Sequence, residues 1–265
     1  MTELKPSLVN RIRHLANAST GTTRSQVRKR IIDRRFVDLL ASTKKNRRYD
    51  LQTAAVIRRV MDSESVGIDV GAHKGDILQH LVAAAPGKQH LAIEPLPELA
   101  ASLRSKFPSV HVHEVALTDS PTTKISFHHV SSNPAYSGIL ERRYDRPNES
   151  IEMIEVSTAR LDDLVPADVA PTFIKIDVEG AEQGVLESGS ETIARCRPTI
   201  VFEHGLGASD RYGTTPEVIW NYFDHHKLSV GLIATWLEDG PPLGLDQFTE
   251  QFHSGVNYYF IAYPK

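Results

Sequence analysis

The stretch that most constrains the fold is residues 65–76, with the sequence SVGIDVGAHKGD. It begins as a short apolar run, which predicts a buried strand, and it continues into a turn that contains Gly71 and Gly75. A helical pattern then starts near Asp76, and a second short apolar strand follows and ends on Glu94. This order of strand, glycine turn, helix and strand predicts a βαβ unit, which is half of a nucleotide-binding fold.

The residues at these strand ends each suit contact with a nucleoside. Gly71 allows a tight turn where a side chain would collide with a ligand, and Gly75 lets backbone, ligand and helix approach closely. The free N–H groups at the start of the helix suit a carboxylate or a phosphate. Glu94 lies about 20 residues beyond the loop, where such units place the acid that accepts hydrogen bonds from two ribose hydroxyls.

The spacing of the glycines discriminates between ligands. A dinucleotide site requires G-x-G-x-x-G, whereas Asp69, Gly71 and Gly75 form the pattern D-x-G-x-x-x-G. A pyrophosphate gains nothing from a carboxylate beside the loop, but a ligand with an ammonium group does. The pattern therefore favours S-adenosylmethionine, which carries a ribose and an amino-acid tail and no phosphate. The alternative is a generic strand–turn–helix with incidental glycines, and Glu94 and the later motif at Lys175 count against it.

Length and composition exclude several classes of protein. A chain of 265 residues has room for one large domain, or for one domain with an extension. The single cysteine, Cys196, excludes an intrachain disulfide and a cysteine-based metal cluster, and it suits a reducing compartment. No apolar run approaches the length of about 18 residues that a membrane span requires, and no signal-type apolar core is present. We therefore expect a cytoplasmic protein without a transmembrane segment.

The N-terminal region differs in charge from the rest of the chain. Residues 1–60 contain 15 lysines and arginines against 4 acidic residues, a balance of +11, although the whole chain has a net charge of −3. Helical spacing predicts a basic helical extension over residues 1–62, followed by a ligand-binding domain over residues 63–265. One function for the extension is to gather an anionic substrate, a membrane surface or nucleic acid. We favour a solvated extension that covers the active site or forms a homodimer, because charge runs usually coat solvated faces and no nucleic-acid-binding fold is indicated.

Strands and helices alternate after residue 65, which predicts a parallel sheet with helices on both faces. Right-handed crossovers place the carboxyl ends of the strands on one edge, where a ligand binds. At that edge, Val115 and Ala116 are placed to contact an adenine ring. The expected strands of this part are residues 66–70, 91–93 and 111–117.

The alternation is interrupted over residues 120–160, which predict an inserted hairpin and loop. Such a loop either supplies substrate-selective contacts or is a solvent-exposed excursion. The insertion is expected to contain two antiparallel strands. Another two strands are expected near the C-terminus, where an antiparallel pair is one possible arrangement. These four strands are residues 124–130, 151–156, 228–233 and 258–262.

Acidic residues also follow the later strands of the sheet. Asp177 ends an apolar strand, where it has three candidate roles: to hold the donor's ammonium or the acceptor, to act as a general base, or to bind a divalent ion. Helix N-capping is the structural alternative. The next strand ends in Glu203 and His204, which point to opposite sides if extended, so one of them should face the cleft. His204 suits general-base work near neutral pH, although a structural histidine is the commoner outcome.

Four motifs together resemble the FkbM family of S-adenosylmethionine-dependent methyltransferases. They are IDVGAHKG at residues 68–75, IEP at 93–95, LDDL at 161–164 and FIKIDVEGAE at 173–182. The last of these is the most specific, and the resemblance extends over residues 65–262. His73 departs from the pattern, because family members usually have asparagine there, and residues 1–62 carry no recognisable motif.

The resemblance implies a Rossmann-like class I methyltransferase fold, an α/β fold with a seven-stranded, mostly parallel sheet. It also implies transfer of a methyl group to a hydroxyl of a small-molecule or glycan acceptor, such as a sugar, a glycolipid or a polyketide-type natural product. The sequence is compatible with a divalent metal but does not require one. The candidates for the general base are Asp177, Glu203 and His204. The candidates for contact with S-adenosylmethionine are Asp69, Gly71, Ala72, His73, Gly75, Glu94, Pro95, Val115, Ala116 and Asp177.

Two other functions stay open at this point. An NAD-dependent dehydrogenase would share the βαβ unit, but the chain lacks the three-glycine phosphate loop of that class. A non-catalytic binding protein would keep the fold and recruit a partner through the basic N-terminal region.

Overall fold

A computed structural model describes residues 45–120, 122–144 and 148–265. The chain divides into two compact units, residues 1–51 and 52–265. The expected helices that precede residue 45, with most of the basic charge, lie outside the described residues. The role of the N-terminal extension therefore stays a prediction.

Ten strands are present in the described residues, and they form two sheets. In chain order they are β1 Val66–Val70, β2 Leu91–Ile93, β3 His111–His113, β4 Ala116–Leu117, β5 Lys124–Val130, β6 Ile151–Ala159, β7 Pro171–Ile176, β8 Thr199–Glu203, β9 Leu228–Gly231 and β10 Tyr259–Pro264.

The larger sheet has seven strands in the order β3-β2-β1-β7-β8-β10-β9. The first five run parallel, and β10 is antiparallel to both of its neighbours. The expected seven-stranded, mostly parallel sheet is therefore confirmed, together with the antiparallel pairing of the last two strands. Across the β1–β7 pair, Asp69 lies opposite Lys175, which places a carboxylate and an ammonium group on neighbouring strands.

The helices follow the strands in the expected alternation. In chain order they are α1 Lys45–Val60, α2 Leu78–Ala84, α3 Pro97–Lys106, α4 Leu161–Leu164, α5 Glu182–Ser188, α6 Ser190–Cys196, α7 Pro216–His225, α8 Ile233–Leu237 and α9 Leu245–Ser254. In the part of the chain that the structure describes, every helix falls short of the length and apolarity that a membrane span requires.

The core is built on strands that are apolar on both faces, as parallel strands covered by helices must be. Phe202 of β8 lies near its centre, with ring centroids 4.8 Å from Phe223 of α7 and 5.9 Å from Phe260 of β10. Phe248 and Phe252 are four residues apart on α9, so both project from the same face of that helix and both are buried. This packing covers the sheet next to the ends of β8 and β10.

Two boundaries differ from the sequence-based expectation. The single strand expected over residues 111–117 is wrong, because β3 ends at His113 and Ala116–Leu117 pairs with β6 of the smaller sheet. The first helix after the glycine turn begins at Leu78 instead of near Asp76, since a further turn intervenes. The hairpin in the insertion is confirmed, with β5 and β6 antiparallel throughout.

Candidate active site

Three polar side chains and the glycine turn meet at the carboxyl edge of the large sheet. The parallel strands β1, β7 and β8 all end at this edge, and the antiparallel strand β10 begins there. Asp177 directly follows β7, Glu203 is the last residue of β8, and Tyr259 of β10 lies opposite Glu203. The glycine turn follows β1 at the same edge, so residues far apart in sequence surround one site.

Gly71 is required by the protein's own backbone. Its φ is +74°, and a Cβ built on it would lie 1.9 Å from the carbonyl oxygen of Asp177. The N–H groups of Gly71 and Ala72 both donate to the carbonyl oxygen of Ile93, at 2.9 Å and 3.1 Å. The sequence predicts that a side chain here would collide with a ligand. In the structure, an added side chain would collide with the turn after β7.

Gly75 holds the other end of the turn against α3. Its φ is +80°, and a Cβ there would lie 2.5 Å from the ring of Phe107. The side chain of Lys106 donates to the carbonyl oxygen of Lys74 at 3.1 Å. The turn is thus fixed by contacts to the C-terminal end of α3 as well as to β2.

Glu94 is buried and points back into the glycine turn. One of its carboxylate oxygens accepts from the backbone N–H of His73 at 2.8 Å, and the other accepts from Leu96 N–H at 3.0 Å. Burial raises the pKa of Glu94, and these two hydrogen bonds oppose the rise. Because an ionised carboxylate has about four acceptor positions, each oxygen keeps a lone pair for a ribose hydroxyl. Pro95 follows directly and is partly buried.

His73 adopts a backbone conformation that is unusual for a residue with a side chain, with φ of +48°. Its Nε2 atom is buried without a hydrogen-bond partner in the described part of the chain, and burial lowers the pKa of its imidazole. The carboxylate of Asp69 is also buried, but it forms an ion pair with Lys175. Of these two side chains, His73 is therefore the one with a polar atom left for a polar ligand.

Asp69 and Asp177 share one ammonium group. The Nζ atom of Lys175 lies 3.5 Å from Asp69 Oδ1 and 3.3 Å from Asp177 Oδ2, and it donates to the carbonyl oxygen of Gly71 at 2.8 Å. Burial raises the pKa of Asp69 to about 6, although Lys175 opposes the rise. The sequence argument that Asp69 needs a ligand's ammonium is weakened, because Lys175 already supplies a cation.

Asp177 favours the ionised form although its side chain is largely buried. Burial raises its pKa, but the Lys175 ammonium and hydrogen bonds from Tyr259 and Glu203 outweigh this effect, so the pKa lies below its usual value. The hydroxyl of Tyr259 donates to Asp177 Oδ2 at 2.5 Å. The side chain of Asp177 is 26% exposed, so its carboxylate is accessible from solvent.

Of the two carboxyl groups, Glu203 is the one whose surroundings favour the protonated form. Burial, together with the negative charges of Asp177 and Glu182, raises the pKa of Glu203 well above its usual value. A protonated Glu203 can donate a hydrogen bond to the ionised Asp177. Two carboxyl groups at this edge thus have opposite roles, one as the acceptor and the other as the donor.

His204 is not brought to this site. Its imidazole is fully buried and stacked against Phe252 and Phe248, with ring centroids 4.7 Å and 5.6 Å away. Burial lowers its pKa to about 4, and within the described residues neither ring nitrogen has a hydrogen-bond partner. The prediction that His204 could act as the general base is therefore wrong. Of these two neighbouring residues, Glu203 faces Asp177 and His204 faces the core.

Several residues of the site were not identified from the sequence. Glu182 is buried and accepts from Gly180 N–H at 3.0 Å, and burial raises its pKa to about 7. Arg142 of the insertion forms an ion pair with Glu179 and stacks over the ring of Tyr136 at 4.6 Å. Lys175 could have been identified from the sequence. Residues two apart on a strand share a face, and Asp177 was already a candidate.

The expected adenine contacts fall in different environments. Ala116 is buried in a small cluster with Leu96, Phe127 and Val156, so its side chain contacts the smaller sheet. Val115 is only partly buried and packs against the main core. Of the two, Val115 is therefore the more accessible to a ligand.

Three carboxylates at this edge are close enough together to bind a divalent ion, but two of them already have cationic partners. Asp177, Glu179 and Glu203 each offer an oxygen within 4.8 Å of the others. However, Glu179 is paired with Arg142, and Asp177 is paired with Lys175. A divalent ion would therefore have to compete with Arg142 and Lys175 for these oxygens.

The strand order, the glycine turn and the acid at the end of β2 define a class I methyltransferase fold of the S-adenosylmethionine-dependent type. The chain belongs to the FkbM methyltransferase family, since the family model described as the methyltransferase FkbM domain matches residues 69–229. No curated protein matched the chain.

Solved structures of methyltransferases are similar to the chain at low sequence identity. A methyltransferase FkbM from Methylobacillus flagellatus KT is 15% identical, with a TM-score of 0.44, over 86% of this chain and 57% of that one. A TehB-like SAM-dependent methyltransferase from Corynebacterium glutamicum is 13% identical, with a TM-score of 0.40, over 98% and 96%. A precorrin-6y C5,15-methyltransferase from Geobacter metallireducens is 14% identical, with a TM-score of 0.39, over 72% and 74%. The chain thus spans little more than half the length of the Methylobacillus protein.

Proposed function

We propose that this methyltransferase acts on oxygen and transfers the methyl group of S-adenosylmethionine to a hydroxyl of a sugar, a glycolipid or a polyketide-type acceptor. The observation that carries the proposal is the environment of Asp177. Its carboxylate is ionised, partly exposed and next to the glycine turn, where a base for a hydroxyl proton is needed.

The donor is proposed to lie against the glycine turn, with the ribose hydroxyls at Glu94. Glu94 supports this role because two backbone N–H groups fix its orientation before any ligand binds. The other contacts proposed for the donor are Asp69, Gly71, Ala72, His73, Gly75, Pro95, Val115, Ala116 and Asp177. When bound, S-adenosylmethionine supplies an electrophilic methyl group on a sulfonium. The protein then has to orient the acceptor oxygen and exclude water.

Asp177 is proposed to take the proton of the acceptor hydroxyl. Tyr259 and Glu203 hold its carboxylate in place, and Lys175 keeps it ionised. Glu203 is proposed to act through Asp177, since burial and the neighbouring negative charges raise its pKa and favour the protonated form, which donates a hydrogen bond. The order of roles among the three sequence candidates thereby becomes Asp177 as the base and Glu203 as its hydrogen-bond donor, with His204 outside the site.

Exposed apolar side chains on three loops support an acceptor that is partly apolar. Leu140 is 41% exposed, Leu206 is 52% exposed and Val256 is 59% exposed. Leu206 follows Glu203 by three residues and Val256 precedes Tyr259 by three. The N–H of Leu140 donates to the hydroxyl of Tyr212 at 2.8 Å, which holds the insertion beside the loop after β8. A glycolipid or polyketide fits this edge better than a bare sugar.

The test is transfer of a labelled methyl group from the donor to lipids and glycans fractionated from the source cell. Label that enters a fraction with the wild-type protein but not with Asp177→Asn, and that is stable to mild acid as an ether should be, would support the proposal. Label that appears on nitrogen or carbon, or equal labelling by the Asp177→Asn variant, would reject it. Glu155→Gln is the control, because Glu155 is exposed and pairs with Lys124 on the outside of the hairpin.

A further inference from the structure

Lys175 is a buried cation, and the reaction outlined above uses only one of its contacts, the one to Asp177. It lies in β7, between Asp69 of β1 and Asp177 at the end of its own strand. Its Nζ atom makes three polar contacts within 3.5 Å, to Gly71 O, Asp177 Oδ2 and Asp69 Oδ1. Burial of a lysine is costly, so a buried ammonium with three fixed partners indicates that the position needs its charge.

The three contacts join the two halves of the site. Gly71 opens the turn proposed to hold the donor, and Asp177 is the proposed base for the acceptor. The two residues are 106 positions apart, but the Asp177 N–H donates to Val70 O at 3.1 Å, so the turns lie side by side. One ammonium group therefore bonds to a carbonyl of the donor turn and to a carboxylate on the acceptor side.

We infer that Lys175 is a positioning residue that holds the donor turn and the acceptor-side carboxylate in register and keeps Asp177 charged. The inference rests on the proposed function, which assigns the turn to the donor and Asp177 to the acceptor. The contacts of Lys175 do not depend on that assignment. It assigns to Lys175 no direct contact with the donor or with the acceptor.

The charges around Asp177 explain why this cation matters. Three other carboxyl groups lie near Asp177, those of Asp69, Glu203 and Glu182. A negative charge on any of them disfavours a negative charge on Asp177. Arg142 is engaged by Glu179, so its charge is already shared. The titratable and charged groups that face the Asp177 region are Lys175, Asp69, His73, Glu179, Glu182, Arg142, Glu203 and Tyr259.

Replacing Lys175 by methionine keeps the side-chain length and removes the charge. Asp177 would then lose its strongest favourable partner while the burial that raises its pKa stays. Its carboxyl should protonate at a higher pH, by about one to three pH units. The carbonyl of Gly71 would also lose its hydrogen bond, and donor affinity should fall by at least about tenfold.

The experiment compares full-length wild-type protein with Lys175→Met. Aspartate carboxyl carbons labelled with ¹³C are titrated by NMR, with the Asp177 signal assigned as the one missing from Asp177→Asn. Donor affinity is measured by calorimetry with S-adenosylmethionine and with S-adenosylhomocysteine. The matched control is Lys124→Met, which removes an exposed lysine that pairs with Glu155 on the hairpin and that contacts neither the glycine turn nor the two carboxylates.

Because Lys175→Met leaves the buried Asp69 and the partly exposed Asp177 without their shared cation, it can fail to fold. The second variant, Lys175→Met with Asp69→Asn, removes one charge of each sign, and the Asp177 titration should still move upward. The expected result is a raised Asp177 midpoint and weakened donor binding in the Lys175 variants, with neither change in Lys124→Met.

An Asp177 midpoint that matches the wild type in a folded Lys175 variant would overturn the inference. If the wild-type protein binds donor and a folded Lys175 variant binds it equally well, the inference would also be overturned. If the wild type binds neither ligand, the proposed function falls on its own, and the titration decides the role of Lys175 independently.

Discussion

Glu203 and His204 are neighbours in the chain, yet their side chains enter opposite environments. Glu203 hydrogen-bonds toward the ionised Asp177, whereas His204 is stacked between two phenylalanines of α9. The strand that carries them is extended, so adjacent residues project to opposite faces. Only one of the two can therefore take part in chemistry at the sheet edge, and the carboxyl is that one.

The first prediction concerns His204 and the dependence of stability on pH. Its imidazole stays neutral in the folded protein down to about pH 4, because burial lowers its pKa. In the unfolded chain it protonates near its ordinary value of about 6.5, so the unfolded state takes up the proton first as pH falls. The stability that depends on neutral His204 is complete above about pH 6.5 and is lost toward pH 4, by about 3 kcal/mol in all.

His204→Leu should remove this contribution, so the variant should lose less unfolding free energy between pH 7 and pH 4 than the wild type. Urea unfolding at both pH values measures the difference. His253→Gln, at an exposed position of α9, is the control and should behave as the wild type. Methyl transfer should persist in His204→Leu, and its loss in a folded variant would restore His204 as a base.

The second prediction is that Glu94→Ala abolishes donor binding. Two hydrogen bonds from ribose hydroxyls to a charged acceptor are lost, which corresponds to at least about a hundredfold in Kd. The substitution also leaves the N–H groups of His73 and Leu96 without their acceptor, so circular dichroism must show that the variant is folded. Calorimetry with S-adenosylhomocysteine measures the affinity, and Glu98→Ala on the exposed side of α3 is the control. Retained affinity would remove Glu94 as the ribose contact.

The third prediction separates the two carboxyl groups of the site. Asp177→Asn keeps the shape but cannot take a proton, so turnover should fall by about a hundredfold or more. Glu203→Gln keeps a hydrogen-bond donor toward Asp177, so turnover should fall by less than about tenfold. The measurement is kcat on whichever acceptor fraction the labelling experiment identifies. If Glu203→Gln proved the more damaging substitution, the roles of the two residues would be exchanged.

Much of the fold could be predicted from the sequence because its signals are local. The apolar run before Gly71 and the strand ending at Glu94 each occupy one short window, and both were placed correctly. The break between β3 and β4 was missed, because pairing with β6, about 40 residues away, decides it. Periodicity within one segment carries no record of such a distant partner.

The site was less predictable because its parts come from separate elements. Tyr259 of β10 and Arg142 of the insertion lie in no motif, and only the folded sheet brings them to Asp177 and Glu179. The alternation of Glu203 and His204 was foreseen, but not which of them faces the core. That choice depends on α9, whose phenylalanines occupy the face that His204 enters.

The fourth prediction tests why the turn after β1 needs glycine. Gly71→Ala must keep a φ of +74° and place a Cβ 1.9 Å from the Asp177 carbonyl oxygen, so the two turns have to move apart. Gly87→Ala is a matched control, because its φ is +82° and nothing lies within 4 Å of the added Cβ. The control should cost about 1 kcal/mol of unfolding free energy for the left-handed backbone alone.

Gly71→Ala should cost several times more, and it should also weaken donor binding because the turn is displaced. Urea unfolding of the two variants side by side measures the difference, and calorimetry measures the affinity. Equal losses of stability would mean that the contact with Asp177 is absent in solution. In that case the ligand, and not the neighbouring turn, would be the reason for glycine at this position.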